Sequence, residues 1–161
     1  MLQVITLVSM LVLVALDQII KLLVLNYLQP IGSFPLIDGF IQLSYVQNKG
    51  AAFGSFSDKT ELLAIFTLVV IIIGILALMF KKIKFGVEYV CVVFLISGGI
   101  GNLIDRVFRG FVIDYIEPLF IDFAIFNFAD ILVTCSAIVL IVWMIYDVYR
   151  DSKKEKDSQN E

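Results

Sequence analysis

The residues of this chain that could do chemistry fall into four short clusters rich in carboxylates and carboxamides. Asp17, Gln18 and Lys21 form the first, and the four-residue step from Asp17 to Lys21 puts both on one face of a helix. The second is the string Asn48-Lys49-Gly50-Ala51-Ala52-Phe53-Gly54. The third, Gly98-Gly99-Ile100-Gly101-Asn102-Leu103-Ile104-Asp105-Arg106, is followed by Gly110 and Asp114, and the fourth is Asn127-Phe128-Ala129-Asp130. Histidine is absent, which removes histidine triads and the usual histidine metal sites. The two cysteines, Cys91 and Cys135, lie in apolar runs far apart, with neither a disulfide framework nor metal-ligand spacing, and read as packing residues. No metal site and no cofactor is expected.

Carboxylate chemistry remains. Two aspartates held close together at a half-dry interface cannot both ionise easily, so such a pair retains one proton. The ionised member can then take a proton from an attacking water while the protonated member polarises the carbonyl under attack. Asp114 and Asp130 are the candidates, although two aspartates sixteen residues apart occur in many chains. Structural readings compete at each cluster. Asp17 and Lys21 suit an ion pair with Lys21 snorkelling outward. Gly98, Gly99 and Gly101 suit close helix packing, and Asp130 suits a helix cap. Asp114, among apolar neighbours, has no comparable structural task.

The elements that must position these residues are membrane spans. Of the 161 residues 60% are hydrophobic, and the mean hydropathy is +0.98. Soluble domains reach about 45–50% apolar content, so this chain needs lipid as its solvent. The sequence predicts an all-α membrane protein of one domain, with four transmembrane helices at about 3–27, 62–80, 87–105 and 130–148. Residues 62–80 hold no charge over 19 positions, which as a helix spans roughly 28 Å, the thickness of a hydrocarbon core. The first stretch lacks a basic segment before its apolar run and outlasts a signal-peptide core, so it reads as a retained span.

Lys81, Lys82 and Lys84 lie between the second and third spans, and Arg150, Lys153, Lys154 and Lys156 follow the fourth. Both groups fall on one side, which the positive-inside rule makes cytoplasmic. Both termini are then inside, and the polar clusters converge at the outer face. There, residues 40–47 follow an Asp38-Gly39 turn and alternate apolar Ile41, Leu43 and Tyr45 with polar Gln42 and Ser44. That is a strand pattern, its apolar face expected on lipid or substrate, and residues 111–116 are rich in strand formers. A small extracytoplasmic β-sheet region is expected, with a disordered cytoplasmic tail over 151–161. No phosphate loop and no basic patch with interleaved aromatics is present, so nucleic acid is not an expected partner.

Taken together, Asn48-x-Gly-Ala-Ala-Phe-Gly, Gly101-Asn102-x-x-Asp105-Arg106, Gly110-x-Val112-x-Asp114 and Phe126-Asn127-x-Ala129-Asp130 resemble the lipoprotein signal peptidases (signal peptidase II). Leu16-Asp17-Gln18-x-x-Lys21 fits the same family, and the resemblance runs in order over nearly the whole chain. It implies a bacterial inner-membrane aspartyl endopeptidase that removes the signal peptide from diacylglyceryl-modified prolipoproteins, cutting before the lipidated cysteine, and that is blocked by globomycin. By motif match, Asp114 and Asp130 correspond to the catalytic pair. Asn48, Gly54, Asn102, Arg106 and Asn127 match its supporting polar and glycine positions, and Asp17 and Lys21 match positions tied to activity or stability.

Two other classes compete. A small four-span transporter or channel subunit would line a polar path with Asp17, Lys21, Asp114 and Asp130. A non-catalytic scaffold packing through its glycines would leave Asp114 and Asp130 without a task.

Overall fold

In the computed structural model, which describes residues 1–50 and 60–159, four helices are long and apolar enough to cross a membrane. Helix α1 (Leu2–Leu23) continues through a π-helical turn at Val24–Leu28, α2 is Thr60–Met79, α3 is Val87–Arg109 and α4 is Phe128–Gln159. A three-stranded antiparallel sheet, in the order β1 (Ser33–Ile37), β2 (Ile41–Asn48), β3 (Val112–Pro118), caps one end. The expected spans are present; α2 starts two residues earlier and ends one residue earlier than expected, and the other helices, α1 with its π turn, run past the expected ends. The expected disordered tail is instead helical: α4 runs on through the charged segment as far as Gln159.

Helix α3 is the centre of the bundle and packs against α1, α2 and α4. Its buried face holds the small residues Ser97, Gly98 and Gly101, whereas α2 and the middle of α4 turn most of their apolar side chains outward. Outward apolar faces are what lipid-solvated helices need. A second apolar cluster joins α1 to the sheet: Val24 and Leu28 of the π turn pack with Ile113 and Tyr115 of β3, and Leu43 and Tyr45 of β2 lie against them. Leu43 and Tyr45 on the apolar face of β2 therefore rest, half-buried, on the end of α1.

Strand β2 starts at Ile41, one residue later than the sequence predicts, and β3 covers 112–118 where 111–116 looked strand-like. The Asp38-Gly39 turn links β1 to β2, with Gly39 at φ 67. Strand β1 itself has little sequence signature; it is short, contains Pro35 and is exposed along its length.

Candidate active site

Asp114 reaches the site because α3 ends abruptly. Gly110 takes the left-handed conformation (φ 78) that glycine adopts without steric cost, and β3 leaves from there antiparallel to β2. In that pairing Asp114 lies opposite Val46, and Asn48 lies opposite Val112. The following chain turns back, and Phe126 pairs with Ile116 by two backbone bonds of 2.8 and 3.1 Å. Asn127, the next residue, is thereby set beside Asp114 and starts α4.

The start of α4 is a reciprocal cap. Asn127 Oδ1 accepts from the Asp130 N–H at 3.0 Å, and Asp130 Oδ2 accepts from the Asn127 N–H, also at 3.0 Å. The capping role anticipated for Asp130 uses only that oxygen. Its Oδ1 accepts from Asn102 Nδ2 at 2.8 Å. Asp114 Oδ1 accepts from Asn127 Nδ2 at 2.6 Å, and Oδ2 accepts from Asn48 Nδ2 at 2.9 Å. Asn127 thus holds both carboxylates, by its side chain and its backbone. Asn48 is itself fixed by the Gly50 N–H, which donates to its Oδ1 at 2.9 Å.

Behind the pair lies a buried charge network. Lys21 Nζ is 3.0 Å from Asp17 Oδ2 and 2.9 Å from Asp105 Oδ2, and it donates to Asn102 Oδ1 at 2.9 Å. Lys21, Asp17 and Asp105 are all 0% exposed, so Lys21 does not snorkel. Asp17 Oδ1 accepts the Ala129 N–H of α4 at 3.2 Å, and Asp105 Oδ2 accepts the Ile113 N–H of β3 at 3.1 Å. Arg109 ion-pairs with Asp105 and donates to Gln18 Oε1 at 3.1 Å. Two cations meet two carboxylates here, as burial of charge requires. Asp105 and Arg109 were not singled out as site residues. The signal was the step Asn102-x-x-Asp105-x-x-x-Arg109, which puts three polar groups on one face of a span.

Asn102 connects the two layers. Its Oδ1 accepts from Lys21 and, at 3.2 Å, from Asn127 Nδ2, so its amide nitrogen must point at Asp130. Arg106 stands at the edge: Nη2 donates to the Gly50 carbonyl at 3.4 Å, and its buried Nε has no partner among the described residues. Gly54 lies outside the described residues. No group of three or more potential metal ligands occurs among the described residues.

The two carboxylates differ in setting. Asp114 is 2% exposed and Asp130 is half-buried. Burial, and then the negative charge of Asp130, push the Asp114 carboxyl up to about 6, against the opposing pull of its hydrogen bonds from Asn48 and Asn127. A carboxyl that retains a proton near neutrality beside a second, more accessible carboxylate has the division needed for acid and base roles.

The family described as Signal peptidase (SPase) II matches residues 9–146. The lipoprotein signal peptidase of Caldanaerobacter subterraneus subsp. tengcongensis is 43% identical over 133 residues, covering 83% of this chain and 90% of the relative. That of Fusobacterium nucleatum is 41% identical over 140 residues, covering 84% and 83%. A solved bacterial membrane enzyme, obtained by the in meso method at 2.3 Å resolution, matches with a TM-score of 0.81 at 30% identity over 89% of this chain and 88% of its own. No comparison favours a transporter, and Asp17, Lys21, Asp105 and Arg109 of α1 and α3 pair with one another. A match over most of the chain, at this identity and with this fold, places the protein in the signal peptidase II family of membrane peptidases.

Proposed function

We propose that this protein cleaves the signal peptide from diacylglyceryl-modified prolipoproteins, with Asp114 and Asp130 as the catalytic pair. The observation that carries the reading is Asn127 hydrogen-bonded to both carboxylates at the end of an apolar bundle. Asp130, the more accessible, takes a proton from water as the water oxygen attacks the scissile carbonyl. Asp114 gives its proton to the carbonyl oxygen. When the tetrahedral intermediate collapses, the proton held by Asp130 passes to the departing amine, the C–N bond breaks and Asp114 recovers its proton. One water is consumed, and both carboxyls return to their starting states.

The supporting residues follow from their contacts. Asn48, Asn102 and Asn127 hold the carboxyls in place, and Asp17 and Lys21 fix Asn102 and the start of α4 from behind. The Nε of Arg106, without a partner among the described residues, is a buried donor that the ester or peptide carbonyls of a lipidated substrate would satisfy. Cyclic peptides of the globomycin type should block the reaction by occupying the same mouth.

The helix directions leave both chain ends opposite the carboxylates, at the end that carries Lys81, Lys82 and Lys84. The positive-inside rule makes that end cytoplasmic, so the pair sits at the extracytoplasmic face of the bacterial membrane, where a lipidated precursor presents its scissile bond. The test is a gel-shift and mass assay on sealed right-side-out vesicles given a diacylglyceryl-modified precursor from outside. Cutting just before the lipidated cysteine is expected, with the unlipidated precursor spared. Equal cutting of both substrates contradicts the substrate class, and cutting confined to inverted vesicles reverses the orientation.

A further inference from the structure

The end of the bundle opposite the carboxylates carries a feature that peptide cleavage does not use. Helices α1 and α2 both pack on α3, and a groove of about 320 Å³ opens between them, walled by Leu7 and Met10 of α1 and by Ile75 and Met79 of α2. Tyr89 of α3 forms its floor, where the tyrosine Oη and Thr6 Oγ1 share a hydrogen bond of 2.8 Å. That bond pairs the two hydroxyls with each other, and apart from Gln3 the remaining lining side chains are apolar, which leaves a largely apolar slot open to the side of the bundle. A second hollow of about 450 Å³ adjoins it, shares Leu78 and Tyr89 with it, and is rimmed by Lys81 and Lys84.

Lys81 is placed with some strain. Helix α2 ends in a Schellman motif: the Lys81 N–H donates to the Leu78 carbonyl at 3.2 Å, and the Lys82 N–H donates to the Ala77 carbonyl at 2.9 Å. Lys81 occupies the left-handed position of that motif, at φ 52, and is the one described non-glycine residue with positive φ. Glycine takes that conformation freely, whereas the Cβ of any other residue is crowded there. Backbone strain of this kind persists where a side chain has a task. Neither Lys81 nor Lys84 makes an ion pair among the described residues, although the network around Lys21 pairs every charge it holds.

We infer that this groove binds one anionic phospholipid from the leaflet at that end of the bundle. An acyl chain fills the slot between α1 and α2, and Lys81 and Lys84 hold the headgroup phosphate. The charge arrangement selects the occupant: two lysines at the rim with no ion pair among the described residues, and no charged side chain in the slot, fit a ligand with one anionic end and one apolar end. A zwitterionic lipid brings a cation of its own to the rim, and a free phosphate leaves the slot empty.

The test uses the full-length protein, purified in a neutral detergent and stripped of lipid. Native mass spectrometry and thermal unfolding are followed as phosphatidylglycerol, phosphatidylcholine or glycerol phosphate is added. Phosphatidylglycerol should be retained one to one and should raise the Tm, binding at least tenfold more tightly than phosphatidylcholine. The double variant Lys81→Asn/Lys84→Gln should lose that preference by a similar factor. Asparagine tolerates the left-handed position, so the fold should survive, as unchanged cleavage of substrate in neutral micelles would verify. Lys82→Gln, which removes a charge outside the groove, should bind as the parent does. Equal retention of both lipids, an undiminished preference in the double variant, or an equal loss in Lys82→Gln would each overturn the assignment, the last by pointing to diffuse surface charge. Binding of glycerol phosphate as tight as that of the lipid would also overturn it, by assigning the rim to free phosphate.

Discussion

Asn127 binds both carboxyls, and the two sit in different surroundings. Its amide donates to Asp114, which is buried, and its backbone N–H donates to Asp130, which is half-buried. Asn48 is the other donor to Asp114, and donors favour the ionised form. Because Asp114 is held up to about 6, kcat/KM should begin to fall as pH rises above that value and the shared proton is lost. Asn48→Ala removes a donor that favours ionisation, so the proton should be retained to higher pH. The alkaline limb should then move upward by about one pH unit while the maximal rate drops, given that a hydrogen bond to a charged group is worth roughly 1.5–3 kcal/mol. A pH profile measured in micelles decides it; an alkaline limb that stays put or moves downward would show that Asn48 does not act on the proton of Asp114. The residue types of the site were legible in the sequence, since amides and carboxylates in a lipid-solvated chain need a reason to be there. The bonds were not. That Asn102 faces Lys21 with its oxygen and Asp130 with its nitrogen depends on three helices meeting, which spacing along the chain does not encode.

The elements divide the same way. Spans were readable from uninterrupted apolar length, and β2 was readable from strict alternation. The return of Phe126 to the edge of β3 was not readable, because it rests on two backbone bonds that any residue can make. The three glycines of α3 looked alike in sequence, but their neighbours separate them. A Cβ on Gly98 would lie 2.5 Å from the Ala129 carbonyl oxygen of α4, and one on Gly101 would lie 2.5 Å from Asp17 Oδ2. A Cβ on Gly99 would meet Ile71 at 3.4 Å, an ordinary contact. Gly98→Ala must therefore push α4 away from α3, and it should cost on the order of 1–3 kcal/mol of stability. Thermal unfolding in micelles should show a clear drop in Tm for Gly98→Ala and little change for Gly99→Ala. Equal behaviour of the two variants would mean that the α3–α4 contact yields more easily than its backbone oxygen suggests.

At the scale of the whole molecule, the interacting polar groups are gathered at one end of an apolar bundle, and the chain ends with Lys81 and Lys84 lie at the other. Composition alone required lipid as the solvent. The convergence of the clusters at one level followed once four spans were drawn through the chain. The length of α4 did not follow, since the charged segment after Tyr149 has no apolar face to announce a helix, yet the helix continues to Gln159. The bundle is held by packing and by the network around Lys21, neither of which needs the reacting proton, so folding and cleavage should be separable. Asparagine is nearly isosteric with aspartate and accepts a hydrogen bond, but it cannot take a proton from water. The most direct measurement is the single-turnover rate of purified Asp114→Asn, Asp130→Asn and the double variant on a diacylglyceryl-modified precursor, with membrane abundance measured alongside. Each single variant should insert at near parental level and lose at least about a thousandfold in rate, and the double variant should be no slower, because the two groups act as one unit. Cleavage by either single variant at close to the parental rate would contradict the aspartyl mechanism.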